Sequence, residues 1–97
     1  MLYVINATFG GFYIPNAVRS ALGCDRYSFN YAGDIRANET LITWVREHRD
    51  DKRNELALVN IPENATDWEL NEYDGLESIT AVVDGKIVHL DAWDGVE

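Results

Sequence analysis

Residues 66–93 read TDWELNEYDGLESITAVVDGKIVHLDAW, and two Asp-Gly pairs within them decide the fold. Asp-Gly is a favoured pair for a two-residue β-hairpin turn, because both central positions of that turn need a positive φ. Asp74-Gly75 and Asp84-Gly85 bracket residues 76–83, so two such turns join three antiparallel strands, about 66–73, 76–83 and 86–93. The turns also fix the register. Tyr73 faces Leu76, Val83 faces Lys86, Leu70 lies beside Ile79, and Ala81 sits between Trp68 and Val88. Side chains alternate across a sheet, so Trp68, Leu70, Ile79, Ala81, Val83, Val88 and Leu90 share one apolar face suited to packing on helices. The opposite face is mixed and acidic, with Asp67, Glu69, Asn71, Tyr73, Ser78, Thr80, Val82, Ile87, His89 and Asp91.

In this register Glu72 and Glu77 oppose each other beside the first turn, on the apolar side. Two carboxylates that close repel, and more strongly once desolvated. A basic residue from the first half of the chain is the expected relief; a cation held with Asp74 is the alternative, since hard cations accept carboxylate oxygen. The spacing Glu72-x-Asp74-x-x-Glu77 is not the twelve-residue calcium-loop pattern, and no metal site is assigned.

Working outward, Leu2 to Ala7 is a short apolar run suited to a buried strand, stopped by Gly10-Gly11. Ile14, Ala17, Val18, Ala21 and Leu22 then follow helical spacing, with Pro15 in the first turn and Gly23 as the C-terminal cap. Residues 24–37 have no clear period, although Tyr27, Phe29 and Tyr31 alternate as a brief strand does. A second helix starts at Asn38, a capping residue ahead of Glu39 in the electropositive first turn. Leu41, Ile42, Val45 and Trp44 form its apolar side. The basic residues Arg46, His48, Arg49, Lys52 and Arg53 complement the negative end of that helix, which explains them better than a nucleic-acid patch. Leu56 to Ile61 reads as a strand ended by Pro62.

The chain has 97 residues, 46% of them hydrophobic and eleven of them aromatic, which is the composition of one globular domain spanning 1–97. Its net charge of −9 is unevenly distributed. Residues 1–54 carry seven Lys and Arg against six Asp and Glu, whereas residues 55–97 carry only Lys86 against eleven acids. Such a field repels phosphate and attracts basic surfaces. The single cysteine, Cys24, allows no internal disulfide and fits a reducing compartment. With no basic start followed by an apolar stretch, and no segment near the roughly 20 apolar residues of a membrane helix, a cytoplasmic protein is expected. Asn-x-Thr triplets begin at Asn6, Asn38 and Asn64; they matter only in a secretory compartment, and Asn38 is better explained as a helix cap.

Scattered surface carboxylates serve solubility in many small domains. Here they are concentrated on one sheet, and a second role follows: Glu63, Asp67, Glu69, Asp74 and Asp91 imitate a phosphate backbone and occupy the basic groove of a nucleic-acid-binding protein. No catalytic residue is assigned, because His48, His89, Ser20 and Cys24 show no nucleophile-base spacing. No cofactor is assigned either: Gly10-Gly11 fits neither phosphate-loop pattern, although Phe9, Phe12 and Tyr13 beside it could wall a small pocket.

The segments YVINATFGGF (3–12), DWELNEYDGLESI (67–79) and VVDGKIVHL (82–90) resemble a group of small acidic proteins of phages and bacterial mobile elements. That resemblance implies a setting in which such proteins inhibit host machinery, anti-CRISPR proteins and nucleic-acid mimics among them. The sequence thus leads to an α+β domain, an antiparallel sheet with a C-terminal three-strand meander and two helices packed on one face. Its expected role is that of a non-enzymatic binding protein with a basic host partner, binding neither nucleic acid nor membrane directly. The alternatives are a small-molecule or nucleotide-binding accessory domain and a homo-oligomer paired through a sheet edge.

Overall fold

The computed structural model describes residues 1–9, 12–22 and 35–96. The elements run β1 (Leu2–Asn6), α1 (Asn16–Leu22), α2 (Glu39–Glu47), β2 (Leu56–Asn60), β3 (Asp67–Tyr73), β4 (Leu76–Val83) and β5 (Lys86–Leu90). The architecture is α+β, and the antiparallel strands divide into two sheets, β1-β2 and β3-β4-β5. Gly10-Gly11, the cap at Gly23, Cys24 and the brief strand through Tyr27, Phe29 and Tyr31 lie outside the described residues.

The meander has the register that its turns dictate: Tyr73 pairs with Leu76, Leu70 with Ile79, Trp68 with Ala81, Ala81 with Val88, and Val83 with Lys86. Asp74 (φ 49°) and Gly75 (φ 87°), then Asp84 (φ 53°) and Gly85 (φ 75°), take the positive φ values of the favoured hairpin turn. The third strand ends at Leu90, short of the expected residue 93, because the chain leaves the sheet there. Trp93 adopts φ 68°, and its N–H donates to the Leu58 carbonyl at 2.7 Å.

Three layers result, with β1-β2 in the middle. Val4, Leu56 and Leu58 face the helices and pack with Ile14, Val18, Leu41 and Val45. Tyr3, Ile5, Ala57 and Val59 face the other way and pack on Ile79, with Trp68, Leu70 and Leu90 around it. The apolar face of the meander therefore meets a sheet, where helices were expected, and the helices lie together on the far face of β1-β2. The burial patterns explain this. Both faces of β1 and β2 are apolar and buried over most of their length, whereas β4 buries only alternate residues, and strands covered on both sides read as continuous apolar runs.

Asn38 caps α2, its Oδ1 accepting from Thr40 N–H at 2.8 Å, and Leu41, Ile42 and Val45 are the buried face of that helix. At the other end His48 Nδ1 lies 2.7 Å from the Trp44 carbonyl, and the two rings stack at 4.1 Å. Val18 in the short α1 is buried, as is Ile14 ahead of it, but Ala17 is exposed. Pro15 stands just ahead of the helix, its carbonyl accepting from Val18 N–H at 3.1 Å.

Candidate partner-binding face

Of the ten carboxylates described between residues 55 and 96, nine are exposed and one, Glu77, is buried. The acidic field of the second half is therefore almost entirely presented to solvent. Asp67 and Glu69 stand on the outer face of β3, two residues apart. Strand geometry separates them by about 6.7 Å, so two negative charges stand side by side along the strand. The rows across the sheet run Asp67–Val82–Ile87 and Glu69–Thr80–His89, with Asn71–Ser78 following. Asp91 comes just after β5, its Oδ1 3.9 Å from His89 Nε2. Glu63 precedes β3, and Asp74 forms the turn at its other end. The five predicted carboxylates thus extend along and beyond β3, with only Asp67 and Glu69 adjacent on the strand.

Among the described residues no Lys or Arg forms an ion pair with any of these five. Two arginines of the helical half are used elsewhere: the Arg49 guanidinium lies 4.6 Å from the Trp93 ring centroid, and Arg36 is buried in the core. The outer face also carries two large exposed hydrophobic residues, Tyr73 at 72% and Ile87 at 79% exposure. It combines negative charge with an aromatic surface on which a guanidinium can stack.

Glu72 and Glu77 do pair across the hairpin, and their repulsion is relieved as charge arithmetic requires. Arg36 grips Glu77 with two parallel bonds, Nη1 to Oε1 at 2.6 Å and Nη2 to Oε2 at 2.8 Å. Glu72 turns to its own hairpin and accepts the Gly75 N–H at 2.5 Å. The buried pair reaches further. Arg36 Nη1 donates to the Val4 carbonyl at 3.2 Å, and Glu77 Oε1 accepts from Asn6 N–H at 2.7 Å. The guanidinium lies 4.0 Å from the Phe12 ring centroid, so its charge is shared between a carboxylate and an aromatic face. Arg36 Nε is the one fully buried side-chain nitrogen or oxygen without a partner among the described residues. Nearby Tyr3 has its hydroxyl pKa raised above 10.0, chiefly by burial and further by Glu77, with Arg36 pulling the other way.

Sequence reasoning gives neither Arg36 nor Asn6 a structural role. The signal for a buried cation was the core-facing Glu77; which of seven basic residues answers it is not encoded by local spacing. Asn6 is fully buried, and its Nδ2 donates to the carbonyls of Thr8 at 2.7 Å and Gly75 at 2.6 Å. Its triplet is therefore inaccessible to glycosylation in the folded protein.

Ser78, Thr80, His89 and Asp91 share the outer side of the meander. The Thr80 hydroxyl accepts from Asn71 Nδ2 at 3.3 Å, and no hydroxyl hydrogen-bonds to His89 among the described residues. No group of three or more potential metal ligands occurs among them either. Of the aromatics beside Gly10-Gly11, Phe12 belongs to the core, Phe9 is 63% exposed, and Tyr13 borders a cavity of about 280 Å³ with Pro15, Trp44, Arg53 and Leu56. Neither described helix is long and apolar enough to cross a membrane.

No protein-family model, curated protein or solved structure matches the chain.

Proposed function

We propose that the protein is a non-enzymatic binding protein whose acidic meander face occupies the basic, nucleic-acid-binding surface of another protein. The observation that carries this reading is the line of exposed carboxylates along β3, Asp67 and Glu69 at its centre, with no arginine or lysine of the described residues neutralising them. Exposed carboxylates compete with phosphate for the same guanidinium and ammonium groups. Tyr73 and Ile87 add apolar contact, which charge alone does not provide. The setting implied by the sequence resemblance, a phage or mobile element acting on a host defence protein in the manner of an anti-CRISPR, supplies a partner of that chemistry in the cytoplasm.

The experiment is competition. A basic protein captured on the immobilised chain should be displaced by duplex DNA and by salt. Triple reversal at Asp67→Lys, Glu69→Lys and Asp74→Lys should weaken binding by more than about tenfold while leaving the fold intact. Binding that is indifferent to salt, to DNA and to the triple reversal defeats the proposal.

The cavity beside Tyr13 and Trp44 favours a second reading, a small planar ligand held against these aromatic side chains with Arg53 also lining the cavity. A ligand at about a hundred times its Kd adds roughly 2.7 kcal/mol of stability. A nucleotide and metabolite thermal-shift screen that moves no melting point removes this alternative.

A further inference from the structure

We infer that the free edge of β5 is a self-association site, at which a second copy of the chain adds its own β5 antiparallel and extends the meander to six strands. The turn fixes which groups are available. Val83 and Lys86 flank a two-residue hairpin turn, so residues 86, 88 and 90 bond inward to β4, and the backbone N–H and C=O of Ile87 and His89 point outward. An edge of that kind is a template for another strand.

The other edges are guarded. On β1, whose Ala7 N–H and Met1 carbonyl bond across to β2, the outward groups are those of Leu2, Val4 and Asn6. Arg36 takes the Val4 carbonyl there and Glu77 takes the Asn6 N–H. On β2 the Leu58 carbonyl accepts from Trp93 N–H. On β3 the Asp67 carboxylate accepts the outward Trp68 N–H at 2.9 Å, and Glu69 and Glu72 add like charge that repels a second β3. Among the described residues no such bond covers β5, and KIVHL is the one strand of the meander without a carboxylate.

The strand is also complementary to itself. Antiparallel pairing centred on Val88 sets Ile87 opposite His89 of the second copy and Lys86 opposite its Leu90. The end carrying Lys86 then lies against the end carrying Asp91 of the second copy, and symmetry repeats that contact. Ile87, 79% exposed in the single chain, gains a cross-strand neighbour.

Each copy carries a net charge of −9, so long-range repulsion opposes the dimer and salt should favour it. This dependence is opposite in sign to that of the acidic-face docking, and it does not rest on that reading. Sedimentation velocity of the full chain over the micromolar range, at about 0.05 and 0.5 M salt on either side of a Debye length of about 10 Å, should show a dimer that grows with concentration and with salt. Ile87→Asp puts a carboxylate on the pairing strand, and His89→Pro removes one outward N–H at an edge position where proline is tolerated. Both should weaken dimerisation by about tenfold or more with an unchanged melting point. If His89→Pro misfolds, Ile87→Asp alone decides. A monomer under every condition, or a dimer that Ile87→Asp leaves intact, overturns the inference.

Discussion

The middle strands and the meander are made of the same kind of hydrogen-bonded backbone but serve different ends. In β1-β2 nearly every side chain is buried, on one face against α1 and α2 and on the other against β4. In β3-β4-β5 one face is buried and the other is wet, acidic and studded with exposed Tyr73 and Ile87. The difference teaches where change is tolerated. Substitutions in the middle layer disturb two interfaces at once, while those on the outer face of the meander alter only what the protein presents to others. Arg36 and Glu77 tie the two regions together, linking β1 to β4 through side chains.

The sharpest way to break the contrast is to cut that tie. Arg36→Met leaves Glu77 buried without its partner and should cost about 3–5 kcal/mol, a large part of the stability of a domain this size; chemical denaturation reads it directly. Arg36→Met combined with Glu77→Leu should recover most of the loss, because the desolvated charge goes with the pair. A double variant as unstable as the single one would show that the ion pair contributes through more than charge compensation.

Next in size is the packing contrast. Leu58→Ala in β2 should cost about 2–5 kcal/mol by opening a cavity at a fully buried site. Val88→Ala in β5, which is only half-buried, should cost about 1 kcal/mol or less. Equal losses would mean that the two sheets are equally essential to the core. Asn38→Ala removes the α2 cap, whose Oδ1 accepts from Thr40 N–H, and should cost about 1 kcal/mol.

Tyr3 gives the contrast a pH signature. Its folded pKa is raised above the ordinary value of 10.0, so the stability it contributes is whole below pH 10 and is lost as pH rises through the folded value. Tyr3→Phe should therefore flatten part of the alkaline decline seen in denaturation midpoints. A decline identical in both proteins would show that the hydroxyl ionises as easily folded as unfolded. The smallest effect belongs to the outer face, where Asp67→Asn or Glu69→Gln should change stability by less than about 0.5 kcal/mol, measured by thermal melting.

How legible these features were depended on how local they are. The register at Leu70–Ile79 and Ala81–Val88 was readable because a two-residue turn leaves one way to pair its flanks, and the confrontation of Glu72 with Glu77 followed without further information. The capped start of α2 was readable for a similar reason, since Asn38 satisfies a donor only two residues away. The second turn predicts a strand reaching residue 93; the bond from Trp93 to Leu58, 35 positions back in the sequence, belongs to a chain that has left the sheet.

The amino-acid order by itself determined the meander, its two faces, the helix cap and the acidity of the second half, all consequences of near-neighbour sterics and charge. The tertiary structure alone decided that β1-β2 would stand between helices and meander, and that Arg36 would be the cation for Glu77. Those outcomes depend on which distant apolar faces and charges come into contact when the chain collapses, and a linear pattern of periods and turns contains no such information.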